Sequence, residues 1–463
     1  MPLIKSISGI RGTIGGQPGE ALTPVDAVNF AAAYAAWLRS RHSSERLKVV
    51  VGRDARISGA ALDKLVCGTL MSCGVDVVNI GLATTPTVEM AVVWEKADGG
   101  IILTASHNPK QWNALKLLDE KGEFLSADDG EALLRLVEEQ AFEFVAVDRL
   151  GAMRCDETYT DKHIEAVCQY PLVDVEAIYK AGFKVVVDAV NSVGGVVIPK
   201  LLRTLGVQVV ELYCAPTGEF QHNPEPLPEH LTEISKQVVA EQAHCGIVVD
   251  PDVDRLALVC ENGEIFGEEY TLVAVADYIL SQRQGNTVSN LSSSRALRDI
   301  TEKNGGQYFA SAVGEVNVVR QMKACRAVIG GEGNGGVIVP DFHYGRDALI
   351  GIALFLSHLA HKNIKCSDLR AEYPAYAISK NKIELTPDVN IDALLERLKT
   401  AYCQYLITDI DGVRIDFEED KQWVHLRKSN TEPIVRIYAE ATNLAAADTL
   451  AEKIKHFFLQ NKK

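Results

Sequence analysis

Residues 47–56 read LKVVVGRDAR: a β-branched run of strand length that breaks at glycine into a charged loop. The pattern returns twice. Residues 182–187 (GFKVVV) run into DAVNS at 188–192, and residues 287–291 (TVSNL) run into SSSR at 292–295. A second element follows the next helix each time. Gly74 precedes VDVV and the loop 82–87, Gly206 precedes VQVV and the loop 213–218, and Gly306 precedes QYF and the loop 311–315. Each is a glycine helix stop, a strand and a loop of small residues. Three copies of one β-loop-α-β unit, spaced by about a hundred residues or more, predict three α/β domains of shared architecture, the period being too long for a solenoid.

Outward from these units, Thr23 is a good N-cap and Pro24 suits the first helical position, so a helix is expected through Trp37 and Leu38. Beyond Tyr373 the order changes to strand (377–385), helix (391–405), three strands (413–417, 424–427, 434–438) and an amphipathic helix from Leu444. That order predicts an α+β domain with an antiparallel sheet. No Gly/Ser-rich tether precedes it, so a packed hinge is expected. The fold class is α/β, with domains expected at 1–155, 156–256, 257–372 and 373–463.

The chain has 463 residues, which at ~150 per domain gives roughly three domains and at ~100 gives four. Its 47 Lys plus Arg against 62 Asp plus Glu leave a balance of −15, which argues against sequence-independent binding to nucleic acid or an anionic membrane. An anionic ligand therefore needs a local basic pocket. The first sixteen residues lack a signal-peptide apolar core, and no run is long enough to span a membrane; a cytoplasmic protein is expected. Ten cysteines occur without a CxxC pair, so reduced thiols packed as small hydrophobes are expected.

Four loops carry chemistry-bearing residues. Thr104-Ala105-Ser106-His107-Asn108-Pro109 follows the apolar run 100–103 and offers Ser106 as an exposed nucleophile or phosphate carrier, although a Ser-His turn alone is common. Asp250-Pro251-Asp252-Val253-Asp254-Arg255 follows the run 246–249 and sets three carboxylates at alternate positions, a set of oxygens for a hard cation such as Mg2+. It is no EF-hand, because Arg255 stands where that loop needs Gly. An aspartyl nucleophile at Asp250, and a solvated acidic turn, stay open on these six residues.

Residues 330–336 (GGEGNGG) satisfy G-x-G-x-x-G but run into a strand-like stretch where a dinucleotide fold needs a helix, so a nucleotide site is rejected. The better reading is a loop in which Glu332 and Asn334 reach sugar hydroxyls past small residues; a purely structural glycine turn is the alternative. Finally, Arg427-Lys428-Ser429-Asn430-Thr431-Glu432-Pro433, with Arg436 beyond, offers guanidiniums, hydroxyls and backbone N–H groups to a dianionic phosphate, or else is an exposed basic turn.

In order and spacing these loops resemble the signature loops of the α-D-phosphohexomutases, over the whole chain. Gly9-Ile10-Arg11-Gly12 and Gly52-Arg53-Asp54 fit the likeness as well. The resemblance implies four domains around a central cleft, three similar mixed α/β domains plus a C-terminal α+β domain that closes on a hinge near Tyr373. It implies reversible phosphate movement between O6 and O1 of a hexose through a hexose 1,6-bisphosphate, with Ser106 carrying the phosphoryl group. It further implies Mg2+ on Asp250, Asp252, Asp254 and a Ser106 phosphate oxygen, with Arg11 and Arg255 stabilising the transferring group. Lys116 matches the family's acid/base lysine and His107 is a further proton-transfer candidate. Arg427, Ser429, Asn430, Thr431 and Arg436 would hold the non-reacting phosphate, and Glu332 and Asn334 the sugar.

Two positions depart from the pattern. Ala114 stands where Gly is usual. The sugar loop, which often closes with His, has Gly336 there, and Asn334 replaces a frequent Ser. This version is similar to that of members acting on glucosamine phosphate, so glucosamine 6-phosphate is the expected substrate, with mannose and glucose phosphates as alternatives and a metal-dependent sugar phosphatase as a remote one. The expected partner is a phosphosugar, with no nucleic acid and no membrane, on a monomer or homodimer.

Overall fold

The computed structural model describes residues 3–6, 9–384, 390–428 and 434–460. The first sheet contains β1 (Ile4–Ser6), β2 (Gly9–Thr13), β3 (Leu47–Arg53), β4 (Val75–Leu82), β5 (Gly99–Leu103), β6 (Trp112–Leu118) and β7 (Met153–Cys155), in the order β1-β2-β6-β5-β3-β4-β7. The second holds β8 (Lys184–Asp188), β9 (Gln208–Leu212), β10 (Cys245–Val249) and β11 (Leu256–Cys260), in the order β11-β10-β8-β9. The third holds β12 (Asn286–Asn290), β13 (Tyr308–Ser311), β14 (Ala327–Glu332) and β15 (Gly336–Ile338), in the order β13-β12-β14-β15.

These three sheets share one topology. In each, a central strand (β3, β8, β12) is flanked by two parallel partners, and the later partner (β5, β10, β14) turns back into an antiparallel fourth strand (β6, β11, β15). Valines fill β3, β8 and β10 because both faces of these strands are covered by helices, so they read as continuous apolar runs. Three of the four motif loops are the equivalent hairpin turns: 104–111 between β5 and β6, 250–255 between β10 and β11, and 333–335 between β14 and β15.

One expected boundary shifts. The division at 256/257 falls inside β11, whose full ladder with β10 keeps residues through Cys260 on the second sheet. The fourth sheet, β16 (Ala377–Glu384), β17 (Leu406–Thr408), β18 (Val413–Phe417), β19 (Gln422–Lys428) and β20 (Ile434–Ala441), is antiparallel throughout in the order β16-β20-β19-β18-β17. The helix expected at 391–405 ends at Ala401, which makes room for the unforeseen β17.

The helix Pro24–Arg41 starts as expected: Thr23 and Asp26 form a capping box with Pro24 in the first turn. Core packing separates the units differently. The second and third sheets share one apolar cluster running from Ile164 to Tyr373, whereas the fourth keeps its own, from Ile383 to Phe458. The fourth unit instead meets the third through polar contacts: Arg414 Nη1 donates to the Leu291 carbonyl (2.6 Å), Tyr376 to Asp299 (2.6 Å), and Lys380 to Glu268 (2.7 Å). All ten cysteines are free thiols; Cys155 and Cys403 are exposed rather than packed as expected.

Candidate active site

The hairpin turns of the first two sheets meet face to face. Ser106 Oγ donates to Asp250 Oδ2 at 2.7 Å, and Lys116, from β6, places Nζ 2.7 Å from Asp252 Oδ2 and 3.4 Å from Asp254 Oδ2. Both loops carry backbone strain. Ser106 (φ 48°) and the β-branched Val253 (φ 65°) are held in the left-handed region, which L residues avoid unless their surroundings impose it. The left-handed Val253, whose N–H donates to the Asp250 carbonyl at 3.1 Å, curls the loop into a tight turn on which the three carboxylates converge.

Arg56 imposes the Ser106 turn. Its guanidinium is fully buried, pairs with Asp54 at 3.0 Å, and donates to the carbonyls of Ser106, Asn108 (2.6 Å), Pro109 (2.8 Å) and Trp112 (2.9 Å). Asp54 also accepts from Thr104 Oγ1 (2.7 Å), whose oxygen accepts the Ser106 N–H (2.9 Å). The charged loop after β3 is therefore a clamp under the Ser106 turn.

One oxygen from each of Asp250, Asp252 and Asp254 lies within 4.8 Å of the others. Asp252 Oδ1 and Asp254 Oδ1 are buried with no hydrogen-bond donor. Burial, reinforced by Asp252 and Asp254, pushes the Asp250 carboxyl well up. At Asp252 burial acts the same way but the Lys116 ammonium outweighs it, and the carboxylate stays ionised. Three acids this close cannot all ionise without a cation, and two orphaned oxygens point to one. The donor set, all carboxylate oxygen, suits Mg2+. Asp250 accepts at both oxygens, from Ser106 Oγ and from the Arg255 N–H (3.2 Å).

Protonation separates the two proton-transfer candidates. Burial would lower the Lys116 pKa, but Asp252 and Asp254 outweigh it and hold the ammonium charged. His107, whose Nδ1 is 3.4 Å from Ser106 Oγ, is driven well below its usual value by burial and then by Arg255 and Arg11, and so is neutral.

Above these residues opens a cleft of ≈750 Å3 lined from all four sheets' units. Arg11, Ser106, His107, Lys116, Arg255, Glu332, Asn334, Arg427 and Arg436 all border it, while the three aspartates lie beneath its floor. Ser429, Asn430 and Thr431 lie outside the described residues. Arg427 and Arg436 are register partners on β19 and β20, as are His425 and Tyr438, so one sheet face presents this group to the cleft. Arg427 is paired with Asp411 at 2.8 Å.

Sequence reading missed Arg346, Glu225, Glu269, Lys380 and His425, all on the cleft wall. Arg346 contacts Asp254, Glu315 and Glu332 at once. His425 had a readable signal, since it shares a face with Arg427 two residues on; the others stand outside any motif. A separate hollow of ≈670 Å3, lined by His244, Glu261 and Cys366 among others, holds none of the motif residues.

Comparison with known proteins agrees with this geometry along the whole chain. Sequence models of phosphoglucomutase/phosphomannomutase match in order: alpha/beta/alpha domain I over residues 3–144, domain II over 161–263, domain III over 267–376 and the C-terminal domain over 382–456. A Thermococcus kodakarensis phosphoglucomutase/phosphomannomutase is 37% identical over 93% of this chain and 94% of its own length. A probable phosphoglucosamine mutase of Methanopyrus kandleri is 33% identical over 96% of this chain and 95% of its own. Among solved structures, a phosphoglucomutase/phosphomannomutase family protein from Burkholderia thailandensis superposes with a TM-score of 0.83 at 27% identity, covering 98% of this chain and 97% of that one. With a serine turn against an aspartate triad at the floor of a four-sided cleft, and family matches over each of the four units, the chain belongs to the phosphoglucomutase/phosphomannomutase family, the α-D-phosphohexomutases.

Proposed function

We propose that this phosphohexomutase carries its transferring phosphoryl group on Ser106 and that its substrate is glucosamine 6-phosphate, converted to glucosamine 1-phosphate. The observation that carries the mechanism is the 2.7 Å hydrogen bond from Ser106 Oγ to Asp250, which sets the buried Ser106 hydroxyl against the aspartate triad. In the forward half-reaction the P–Oγ bond of phosphorylated Ser106 breaks as a P–O bond forms to the free hydroxyl of the hexose phosphate. The hydroxyl proton passes by way of His107, whose Nδ1 lies 3.4 Å from Ser106 Oγ, to the departing serine oxygen and restores its hydroxyl. In the second half the hexose 1,6-bisphosphate, turned end for end, returns its other phosphate to Ser106, and the proton goes back to the departing sugar oxygen.

Asp250, Asp252 and Asp254 would hold Mg2+, which when bound supplies charge neutralisation to the transferring phosphoryl group. Lys116, Arg11 and Arg255 add fixed positive charge around it, and Arg427 and Arg436 grip the distal phosphate. Residues of the fourth unit close the cleft on a hinge near Tyr373, excluding water from the phosphoserine. Its separate core and polar seam with the third unit support that motion.

The amino sugar is favoured by Glu269, which borders the cleft beside the sugar loop, accepts the Ser294 N–H at 2.8 Å, and offers a carboxyl to a C2 ammonium. A second reading, mannose or glucose phosphate, is favoured by the Thermococcus kodakarensis relative's name. Initial rates with glucosamine, mannose and glucose 1-phosphates, each with Mg2+ and a trace of its own 1,6-bisphosphate, decide between them. A preference for glucosamine is expected; faster turnover of a neutral sugar overturns the substrate, and inorganic phosphate without any 6-phosphate overturns the mutase mechanism.

A further inference from the structure

Gly336 ends the sugar loop, and the structure supplies a reason for the glycine that backbone conformation does not. A Cβ at Gly336 would lie 2.3 Å from Cδ and 3.1 Å from Cγ of Arg346, whose stem crosses that space. The conformation at Gly336 is not left-handed, so close approach alone excludes a side chain.

The guanidinium that arrives this way is used at every nitrogen. Nε donates to Glu315 Oε2 at 2.9 Å, Nη1 to Glu332 Oε2 at 3.0 Å, and Nη2 to Asp254 Oδ2 at 2.6 Å. The backbone N–H of Arg346 adds a bond to Glu315 Oε1 at 3.1 Å. Its main chain is fixed from both sides. The Asp347 N–H donates to the Val337 carbonyl at 2.9 Å, and the Asp347 carboxylate caps the helix Ala348–Lys362 while His163 and His343 hold it at 2.9 and 3.1 Å.

We infer that Arg346 is a positioning residue that couples the cation-binding carboxylates to the sugar loop, in the space that a side chain at position 336 would otherwise occupy. By holding Asp254 Oδ2 it leaves Oδ1, which has no protein donor, as the oxygen offered to a cation. By holding Glu332 Oε2, while Asn290 and the Gly314 N–H hold Oε1 at 2.9 and 3.2 Å, it sets the plane of the sugar-loop carboxylate. One planar fork thus orients a metal carboxylate of the second unit and a sugar carboxylate of the third, a task that the single-point charge of lysine performs poorly. Glycine at 336 and arginine at 346 are one device: neither works without the other.

This rests on the reading of Asp250, Asp252 and Asp254 as the Mg2+ site, so the test measures cation binding apart from turnover. Mg2+ binding to the full-length protein is followed by titration calorimetry, and KM and kcat with the hexose phosphate, for wild type, Arg346→Met, Arg346→Lys, Gly336→Ala and the double variant Arg346→Met/Gly336→Ala. Arg346→Met and Gly336→Ala are each expected to weaken Mg2+ binding by about 10–100-fold, and both to raise KM. Arg346→Lys should recover only part of the loss. Because Gly336→Ala acts by displacing Arg346, the double variant should be no worse than Arg346→Met alone. If Arg346→Met does not fold, Gly336→Ala and Arg346→Lys carry the same comparison. Additive losses in the double variant, or wild-type Mg2+ affinity in Gly336→Ala and Arg346→Lys, overturn the coupling while leaving the mutase reading intact. Absence of Mg2+ binding by the wild-type protein overturns both.

Discussion

Lys116 Nζ lies 2.7 Å from Asp252 Oδ2, an ion pair buried between the first and second units. The ammonium partly neutralises the aspartate triad when no cation is bound. Replacing it with methionine leaves uncompensated buried carboxylates, a loss of about 3–5 kcal/mol. Lys116→Met is therefore expected to unfold at lower temperature without Mg2+, and to gain more from added Mg2+ than wild type does. Thermal unfolding with and without the cation measures both; an equal Mg2+ increment in the two proteins would count against the shared charge.

Ser106→Ala should keep hexose phosphate affinity and lose mutase turnover by about three orders of magnitude or more, since removing a nucleophile disables the whole catalytic unit. Radiolabelled 1,6-bisphosphate should label wild type at the peptide containing Ser106 and leave the variant unlabelled. Labelling of the variant would place the carrier elsewhere.

Arg56 touches four carbonyls of the Ser106 turn but does not border the cleft. Arg56→Lys cannot reproduce that fork. The expected outcome is a fall in kcat of about a hundredfold with KM changed little, because a misplacement of about 1 Å at the reacting group has that effect. A rise in KM with kcat intact would mean that the clamp serves binding instead.

His425 accounts for a pH dependence at the seam between the third and fourth units. Its ring nitrogens meet Ser292 Oγ at 2.9 Å and the Asp411 carbonyl at 2.6 Å, and burial lowers its pKa from 6.5 to about 4. Above pH 6.5 the ring is neutral folded and unfolded, so it adds no pH dependence. Between 6.5 and about 4 the unfolded chain binds a proton that the folded one refuses, so stability falls as pH falls, by at most about 1.4 kcal/mol per unit. Denaturant unfolding from pH 7 to 4.5 should show His425→Gln losing less stability than wild type; parallel curves would rule the histidine out.

Much of this was legible in the sequence because the informative residues sit together. Val49 to Val51 and Ile247 to Val249 are strands buried on both faces, and such runs announce themselves without any partner. The loops after them concentrate polar residues where a strand ends, which is where α/β sheets present ligands. What escaped was the hairpin return in each unit. The stretch after residues 330–336 read as strand-like, but β15 is three residues long and β11 follows the Asp250–Arg255 loop directly, so neither showed as the returning arm of a hairpin. Arg346 escaped for another reason: it stands alone at the end of a loop, and nothing in Gly345-Arg346-Asp347 reports a contact with Asp254, 92 positions earlier.

The order of residues by itself determined the strand runs, the three repeated units, the family and which side chains are the candidates for its chemistry, since these follow from local pattern and residue type. Tertiary structure decided their states. Which way the Asp250, Lys116 and His107 pKa values are pushed depends on burial and on charges that different units bring within a few ångströms, and Coulomb energies at that range in a dry interior exceed the intrinsic differences among the groups. The same holds for Gly336, whose missing side chain acquires a reason only when the fold lays Arg346 across it.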